Sequence, residues 1–406
     1  MTAEAPVRED GGTFGRLLVA TLVLEFASGV PYGAINELVP IWLRVHGTDL
    51  ASLGAITLVG LPWTLKPLWA PFVDRLGTWH GWIVFGMTLA AGSLAGLTQV
   101  DGHSPGLVPL LVLAAMGSAT ADIAVDAYIV ARVPPAEQGR VTGVRIAAYR
   151  GAMALAGGGA TWVGNRYGWN VAFEGVVGLQ LATMVCVTGL QRVKQVASES
   201  TPAWGRVLGE WLSRPGTWEL FALVLLFKLG DSAMAPMTRP FLLSAGLDAG
   251  QVGIVSTTGG SILTAVGAVI GGALVSRFGV RTTFVALGVT QACSNLGYAT
   301  AAVVGGIPAA VVASISESLT AGLGSAAMMS LSMRACRGAG EADTGGLATR
   351  WALLSGMIGL TRTLSGAISG VGVERYGYAS WFFFTFFLAL PALFLAPRVV
   401  ARYASV

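Results

Sequence analysis

Thirteen ionisable side chains interrupt stretches that are otherwise built of Leu, Ala, Gly and Val. They are the acids Glu25, Glu37, Asp122, Asp126, Glu174, Asp231 and Glu317 and the bases Lys66, Arg145, Arg150, Lys228, Arg239 and Arg362. Inside a bilayer each such group costs about 2.5 to 3.5 kcal/mol on insertion scales, so it faces a partner or a water-filled path rather than lipid. The near balance of signs predicts pairing around a hydrated cavity. Ion pairs between helices with no ligand role are the plain alternative for any one of them. Asp122 and Asp126 lie four residues apart in ATADIAVDAY and share a helix face, where two acids resist ionising together and one can carry a proton. Equally, Asp126 could simply pair with Lys66 or Arg150.

Lys228 and Asp231 are three residues apart, and Arg239 returns to nearly the same angle on the same helix, giving a polar stripe that Pro236 and Pro240 interrupt. Glu317 stands among Ser, Thr, Gly and Ala, a candidate for protonation that Arg362 on the next helix could neutralise. Glu25 and Glu37 bracket Gly29, Pro31 and Gly33, a bendable segment that could line an outer vestibule, with a solvated Glu37 as the other possibility.

Other chemistries lack their residues. Cys186, Cys293 and Cys336 form no CxxC, and His46, His80 and His103 do not approach metal-ligand spacing, so neither a disulfide frame, a metal site nor a cofactor is indicated. No nucleophile with a matching base supports an enzyme. The net charge of +4 comes from Lys and Arg scattered singly, which excludes a nucleic-acid face.

These groups need helices to hold them. With 54% hydrophobic and only 11% charged residues, and a mean hydropathy of +0.68, the 406-residue chain is not an aqueous globule. At about 20 residues per crossing, punctuation by Arg, Pro and Gly predicts twelve spans. Six run from Arg16 to Pro40, Leu50 to Pro71, Trp82 to Val100, Leu107 to Val130, Val141 to Val163 and Val171 to Leu190. The other six run from Trp218 to Leu243, Val252 to Val275, Thr283 to Val304, Ile307 to Met333, Leu347 to Val371 and Ala379 to Ala396. Continuous apolar blocks without period-two alternation exclude a barrel. The fold class is thus an all-α polytopic membrane protein.

Its expected parts are a tail at 1–15, a six-helix bundle at 16–190, a linker at 191–217, a second six-helix bundle at 218–397 and a tail at 398–406. The first apolar stretch reads as a retained membrane helix rather than a signal peptide. Most Lys and Arg outside the spans fall on the N-terminal side of the membrane, the outer loops holding only Arg44, Arg166 and Arg375, which places both termini in the cytoplasm.

An Arg, an apolar or aromatic residue and a Gly recur as Arg75-Leu76-Gly77, Arg166-Tyr167-Gly168, Arg277-Phe278-Gly279 and Arg375-Tyr376-Gly377, each closing the second helix of a group of three. Repeats of alternating orientation suit three-helix units paired into halves about a central solute site. Trp63, Trp69, Trp162, Trp169, Trp218 and Trp381 are expected to be interface anchors.

The two-by-six arrangement and GLPWTLKPLWAPFVDRLG (residues 60–77) resemble the major facilitator superfamily. The resemblance implies an inner gate latched by Asp74, Arg75 and Arg277, with Arg140 of PPAEQGR beside it. Further segments, among them FASGVPYG with Tyr32, DIAVDAY, AYRGAM with Tyr149, FKLGDSAMAPMTRPFL and SESLTAGLGSAA, are similar to the AmpG muropeptide permease group. That group includes relatives importing siderophores or moving acyl-CoA compounds.

Lys66, Asp122, Asp126, Arg150, Lys228, Asp231, Glu317 and Arg362 fit its pattern, which implies that they run the machinery. Glu25, Glu37, Arg145 and Arg239 depart from it and are expected to shape what is carried. The sequence also lacks the extension of AmpG past the twelfth helix, which suits siderophore-type importers. The expectation is a monomeric multi-pass carrier of the bacterial inner membrane, coupling a small polar organic solute to protons. A fold-retaining assembly factor or sensor is the rival from another class.

Overall fold

A computed structural model describes residues 11–76, 78–102, 104–130, 138–190, 209, 211–337 and 347–404, which are helical wherever they are regular and contain no strand. In a bilayer every backbone N–H and C=O must find its partner within the protein, and helices of apolar residues do so segment by segment. Eight helices among the described residues are long and apolar enough to cross a membrane, and Leu50–Leu65 is a shorter apolar helix. Eight stand out where the sequence predicts twelve because the last two predicted spans run on as one helix, Leu347–Ala404, and three other regions are diluted. Prolines divide the second helix, Arg145 and Arg150 sit in the fifth, and Gln291 and Asn295 sit in the ninth.

Helix α1 comprises Gly11–Gly33, a π-helical turn at Ala34–Leu38 and Val39–Val45. It runs past Pro40, the predicted limit, because that proline opens the new segment after the π turn, where its missing N–H leaves nothing unpaired. Helix α2 steps through Leu50–Ile56, Thr57–Gly60, Leu61–Leu65, Lys66–Leu68 and Ala70–Arg75, with Pro62, Pro67 and Pro71 each opening a segment. Then come α3 (Trp79–Gly96), α4 (Leu107–Val130), α5 (Gln138–Met153, a π turn at Ala154–Gly159, and Ala160–Tyr167) and α6 (Trp169–Thr188).

The second set is α7 (Thr217–Ser244), α8 (Ala249–Val252, a π turn at Gly253–Gly259, and Gly260–Phe278), α9 (Val280–Val304), α10 (Ile307–Arg337) and α11 (Leu347–Ala404). Gly377, at φ 76° and ψ 164°, breaks α11 into arms 347–376 and 378–404. Gly168 (φ 105°, ψ 146°) and Gly279 (φ 79°, ψ 154°) take the same glycine-only conformation at the α5–α6 and α8–α9 junctions. Three copies of the Arg-x-Gly repeat therefore end a helix in the same way. Gly77, of the remaining copy, lies outside the described residues.

Burial shows how the two sets meet. One apolar core contains Leu38 and Trp42 of α1 together with Met237, Phe241 and Phe382 of the second set, so at that end the sets share an interior. Elsewhere the cores are separate: Leu24, Ile83, Tyr128 and Val187 pack within α1–α6, and Leu220, Phe284, Leu331 and Val399 within α7–α11. The shared end is closed by backbone approach. A methyl at Gly54 of α2 would lie 2.8 Å from the Gly370 nitrogen of α11, and one at Gly158 of α5 would lie 2.6 Å from the Gly253 carbonyl of α8. Side chains add to the seal: Asn165 Nδ2 donates to Asp248 Oδ1 (3.2 Å), and Ala51 N donates to Glu374 Oε1 (3.0 Å).

Candidate functional site

Where the shared core gives way to two, a cavity of about 240 Å³ lies between the sets. Of the residues expected from sequence to bind solute or protons, Tyr32, Glu37, Arg150, Arg239, Glu317 and Arg362 line it. Local helix geometry aims them. The π turns of α1, α5 and α8 converge at the closed end, and each admits one residue more per turn than an α-helix, re-aiming the side chains that follow. From these turns Glu37 meets Arg239 of α7 in an ion pair and accepts a hydrogen bond from Thr257 Oγ1 at 3.1 Å. Glu37 is only 5% exposed, so it is a buried link between the sets and not a solvated outer residue.

Arg362 Nη1 donates to the Tyr32 hydroxyl at 2.7 Å, with the guanidinium 5.8 Å from the ring centre. Arg362 thus faces Tyr32 and not Glu317, the pairing offered as that acid's alternative. The Glu317 carboxylate instead accepts from Ser318 Oγ at 3.4 Å and lies within electrostatic reach of Asp231, Lys228 and Arg239. Tyr32 also packs edge-on against Trp63, 5.0 Å between centroids, and 5.6 Å from Tyr149. Trp63 lines the cavity and donates to Ser118 Oγ (3.3 Å), so it is a wall of the site and not an interface anchor. The cue in the sequence is its place two residues ahead of Leu65-Lys66, between Pro62 and Pro67, where no span should end.

Of the remaining charges among the thirteen, Glu174 is exposed on α6 and the others form two networks within single sets. In the first, Lys66 pairs with Asp122, and Arg145 pairs with both Glu25 and Asp126. Asp122 and Asp126 thus do share a helix face, but each faces its own cation, and the partner of Asp126 is Arg145 rather than Lys66 or Arg150. In the second, Lys228 Nζ lies 3.4 Å from Asp231 Oδ2 and 3.1 Å from Ser325 Oγ.

The four residues that depart from the AmpG pattern therefore pair with one another, Glu25 with Arg145 and Glu37 with Arg239. Their charges answer each other before any solute arrives. Of the expected gate, the side chains of Asp74, Arg75 and Arg140 lie outside the described residues. Arg277 is exposed, 5.4 Å over the ring of Phe278. Among the described residues no group of His, Cys, Asp and Glu could hold a metal ion.

Two helix sets that share a core at one end and enclose a charged cavity at the split form the frame of a membrane carrier. The chain belongs to the Major Facilitator Superfamily, whose sequence model matches residues 17–344. It is 29% identical over 394 residues to the anhydromuropeptide permease of Escherichia coli (strain K12), covering 92% of this chain and 78% of the relative. It is 25% identical to the putative transporter AmpG 4 of Rickettsia conorii (strain ATCC VR-613 / Malish 7), covering 93% of this chain and 95% of that one.

In fold it matches a bacterial homolog of the human lysosomal transporter Spinster in an inward-facing, unoccupied conformation (TM-score 0.75, 15% identity, 98% and 99% of the two chains). The nucleoside transporter NupG is similar (TM-score 0.73, 15% identity, 95% and 98%). Its family, its relatives, AmpG-type permeases among them, and its fold are those of multi-pass membrane transporters rather than enzymes.

Proposed function

We propose that the chain is a monomeric secondary transporter of the bacterial inner membrane that takes up muropeptide-like solutes by alternating access coupled to protons. The observation that carries this reading is the cavity between the sets, lined by Glu37, Arg150, Arg239, Glu317 and Arg362 at the point where one core becomes two. Counting the two arms of α11 separately gives twelve crossings, in bundles at 16–190 and 218–397 joined by the 191–217 linker. With both termini cytoplasmic, the sealed end is the outer one and the cavity loads or unloads inward. Asp74, Arg75, Arg140 and Arg277 then latch the opposite end in the alternate conformation.

Muropeptide is favoured because the permease of Escherichia coli is similar along 92% of this chain. A sugar–peptide with ring faces and carboxylates also suits a wall of tyrosine, tryptophan and arginine. Glu317 is the coupling acid in this reading, since it lines the cavity and makes no ion pair among the described residues. The test is uptake of labelled anhydromuropeptide into proteoliposomes. An inward-acidic to outward-acidic reversal of the pH gradient should change accumulation at least about tenfold for wild type. Glu317→Gln should abolish that response while leaving solute exchange measurable. Unchanged pH-driven accumulation in the variant removes Glu317 from coupling, and no accumulation under any gradient removes transport.

A further inference from the structure

The described charges can be followed one by one to their partners, and two cations of the cavity are left over. Lys66, Arg145 and Lys228 are held by acids within their own sets, and Arg239 by Glu37. Among the described residues Arg362 hydrogen-bonds only the Tyr32 hydroxyl; Glu37 is within its electrostatic reach, but that carboxylate already accepts from Arg239 and Thr257. Arg150, half-buried in the same cavity, makes no hydrogen bond or ion pair among the described residues.

A guanidinium that faces a solute cavity without a counter-charge is an incomplete site. Its planar fork of donors matches a carboxylate, and it does not shed its proton. Arg150 stands on α5 and Arg362 on α11, so they reach the cavity from opposite helix sets. Beside them Tyr32 and Trp63, packed edge-on with 5.0 Å between centroids, give the same cavity an aromatic wall.

We propose that Arg150 and Arg362 form a carboxylate subsite that selects acidic solutes and, by gripping one anion from both helix sets, draws the sets together around it. This deepens, and rests on, the reading of the cavity as the solute site. The uncharged cavity-facing groups and the Glu37–Arg239 pair then set shape, while these two cations set charge.

The test measures binding to the purified full chain by calorimetry with three probes. They are an anhydromuropeptide, the same molecule with its carboxyl groups converted to carboxamides, and a sugar-free acidic tripeptide. The acid form should bind at least about tenfold tighter than the amide, as expected when charge-assisted hydrogen bonds are lost. Arg150→Gln and Arg362→Gln should each collapse that preference toward parity, and the Lys variants should restore part of it.

Equal binding of acid and amide by wild type overturns the subsite and leaves the muropeptide reading intact. Binding of the acidic tripeptide alone, lost in the Gln variants, upholds the subsite and overturns muropeptide as the cargo. A preference for acid that survives in both Gln variants overturns the assignment to these arginines, and binding of none of the probes overturns both readings. Should either variant fail to fold, the wild-type ratio of acid to amide decides whether a carboxylate is read at all.

Discussion

The link between Glu37 and Arg239 is the most consequential single contact, because it is buried, ionic and joins the two helix sets. Removing one member of such a pair leaves the other as an uncompensated charge, at a cost of about 3 to 5 kcal/mol. Here the cost falls on the sealed conformation only. Glu37→Gln or Arg239→Gln should therefore shift the population toward opening of the sealed end by more than about a hundredfold. Labelling of a reporter cysteine placed at Val252 in the shared core, with the native cysteines replaced by Ser, reads this shift. The exchanged pair Glu37→Arg with Arg239→Glu should recover part of it, and a double variant no better than either single would show that the two do not act on each other. Arg145, by contrast, serves Glu25 and Asp126 inside one set, so its loss should lower thermal stability without changing that labelling.

Among the elements, close helix approach has a directly testable basis in glycine. Gly158 meets the Thr258 hydroxyl 2.3 Å and the Gly253 carbonyl 2.6 Å from where its Cβ would sit, whereas Gly175 on α6 has open space there. Gly158→Ala should block sealing of α5 on α8 and reduce uptake more than tenfold. Gly175→Ala should leave uptake unchanged and raise stability by about 0.5 to 1 kcal/mol, the usual gain for removing a helix-interior glycine. Equal effects of the two on uptake would detach the α5–α8 contact from transport.

The start of α2 gives a pH prediction outside the membrane. Asp49 accepts from the Ser52 backbone N–H at 2.7 Å and from its hydroxyl at 2.8 Å, and these bonds hold its carboxyl below the usual range. A depressed folded-state value means that the cap stabilises at neutral pH and is lost only as the pH falls below about 4. Asp49→Ala should cost about 1 kcal/mol at pH 7, as N-cap removals do, and progressively less in acid. A cost that stays constant down to pH 3 would show that the charge is irrelevant.

For the molecule as a whole, the contrast between one shared core and two separate ones defines what moves. In the proposed alternating access, opening the sealed end breaks the shared core and its glycine contacts, while the separate cores, Leu24 with Tyr128 and Leu220 with Phe284, are expected to travel as rigid bodies. Asn165 and Asp248 sit across this seam, 3.2 Å apart. Cysteines at both positions, with Cys186, Cys293 and Cys336 replaced by Ser, should cross-link on mild oxidation and cut uptake to less than about a tenth. Reduction should restore it, and solute binding should persist in the linked form. Uptake that continues in fully linked protein would exclude rocking about this seam.

The sequence by itself determined the class of architecture and the list of charges. Long apolar runs can satisfy their backbones in lipid only as helices, and the ionisable groups among them are expected to find partners or a water-filled path. The Arg-x-Gly repeat was equally legible, because a helix that must end and turn uphill in φ needs glycine at that point, as Gly168, Gly279 and Gly377 show. Only the tertiary structure decided who pairs with whom. Helix spacing fixes neighbours three or four residues away, but Glu37 finds Arg239, and Arg362 finds Tyr32, across helices hundreds of residues apart in sequence. It also brought Trp63 from an assumed membrane edge to the wall of the cavity. The π turns that re-aim α1, α5 and α8 leave no periodic trace in composition. Which cations stay uncompensated, and hence where a solute's charge belongs, is a sum over all those distant pairs.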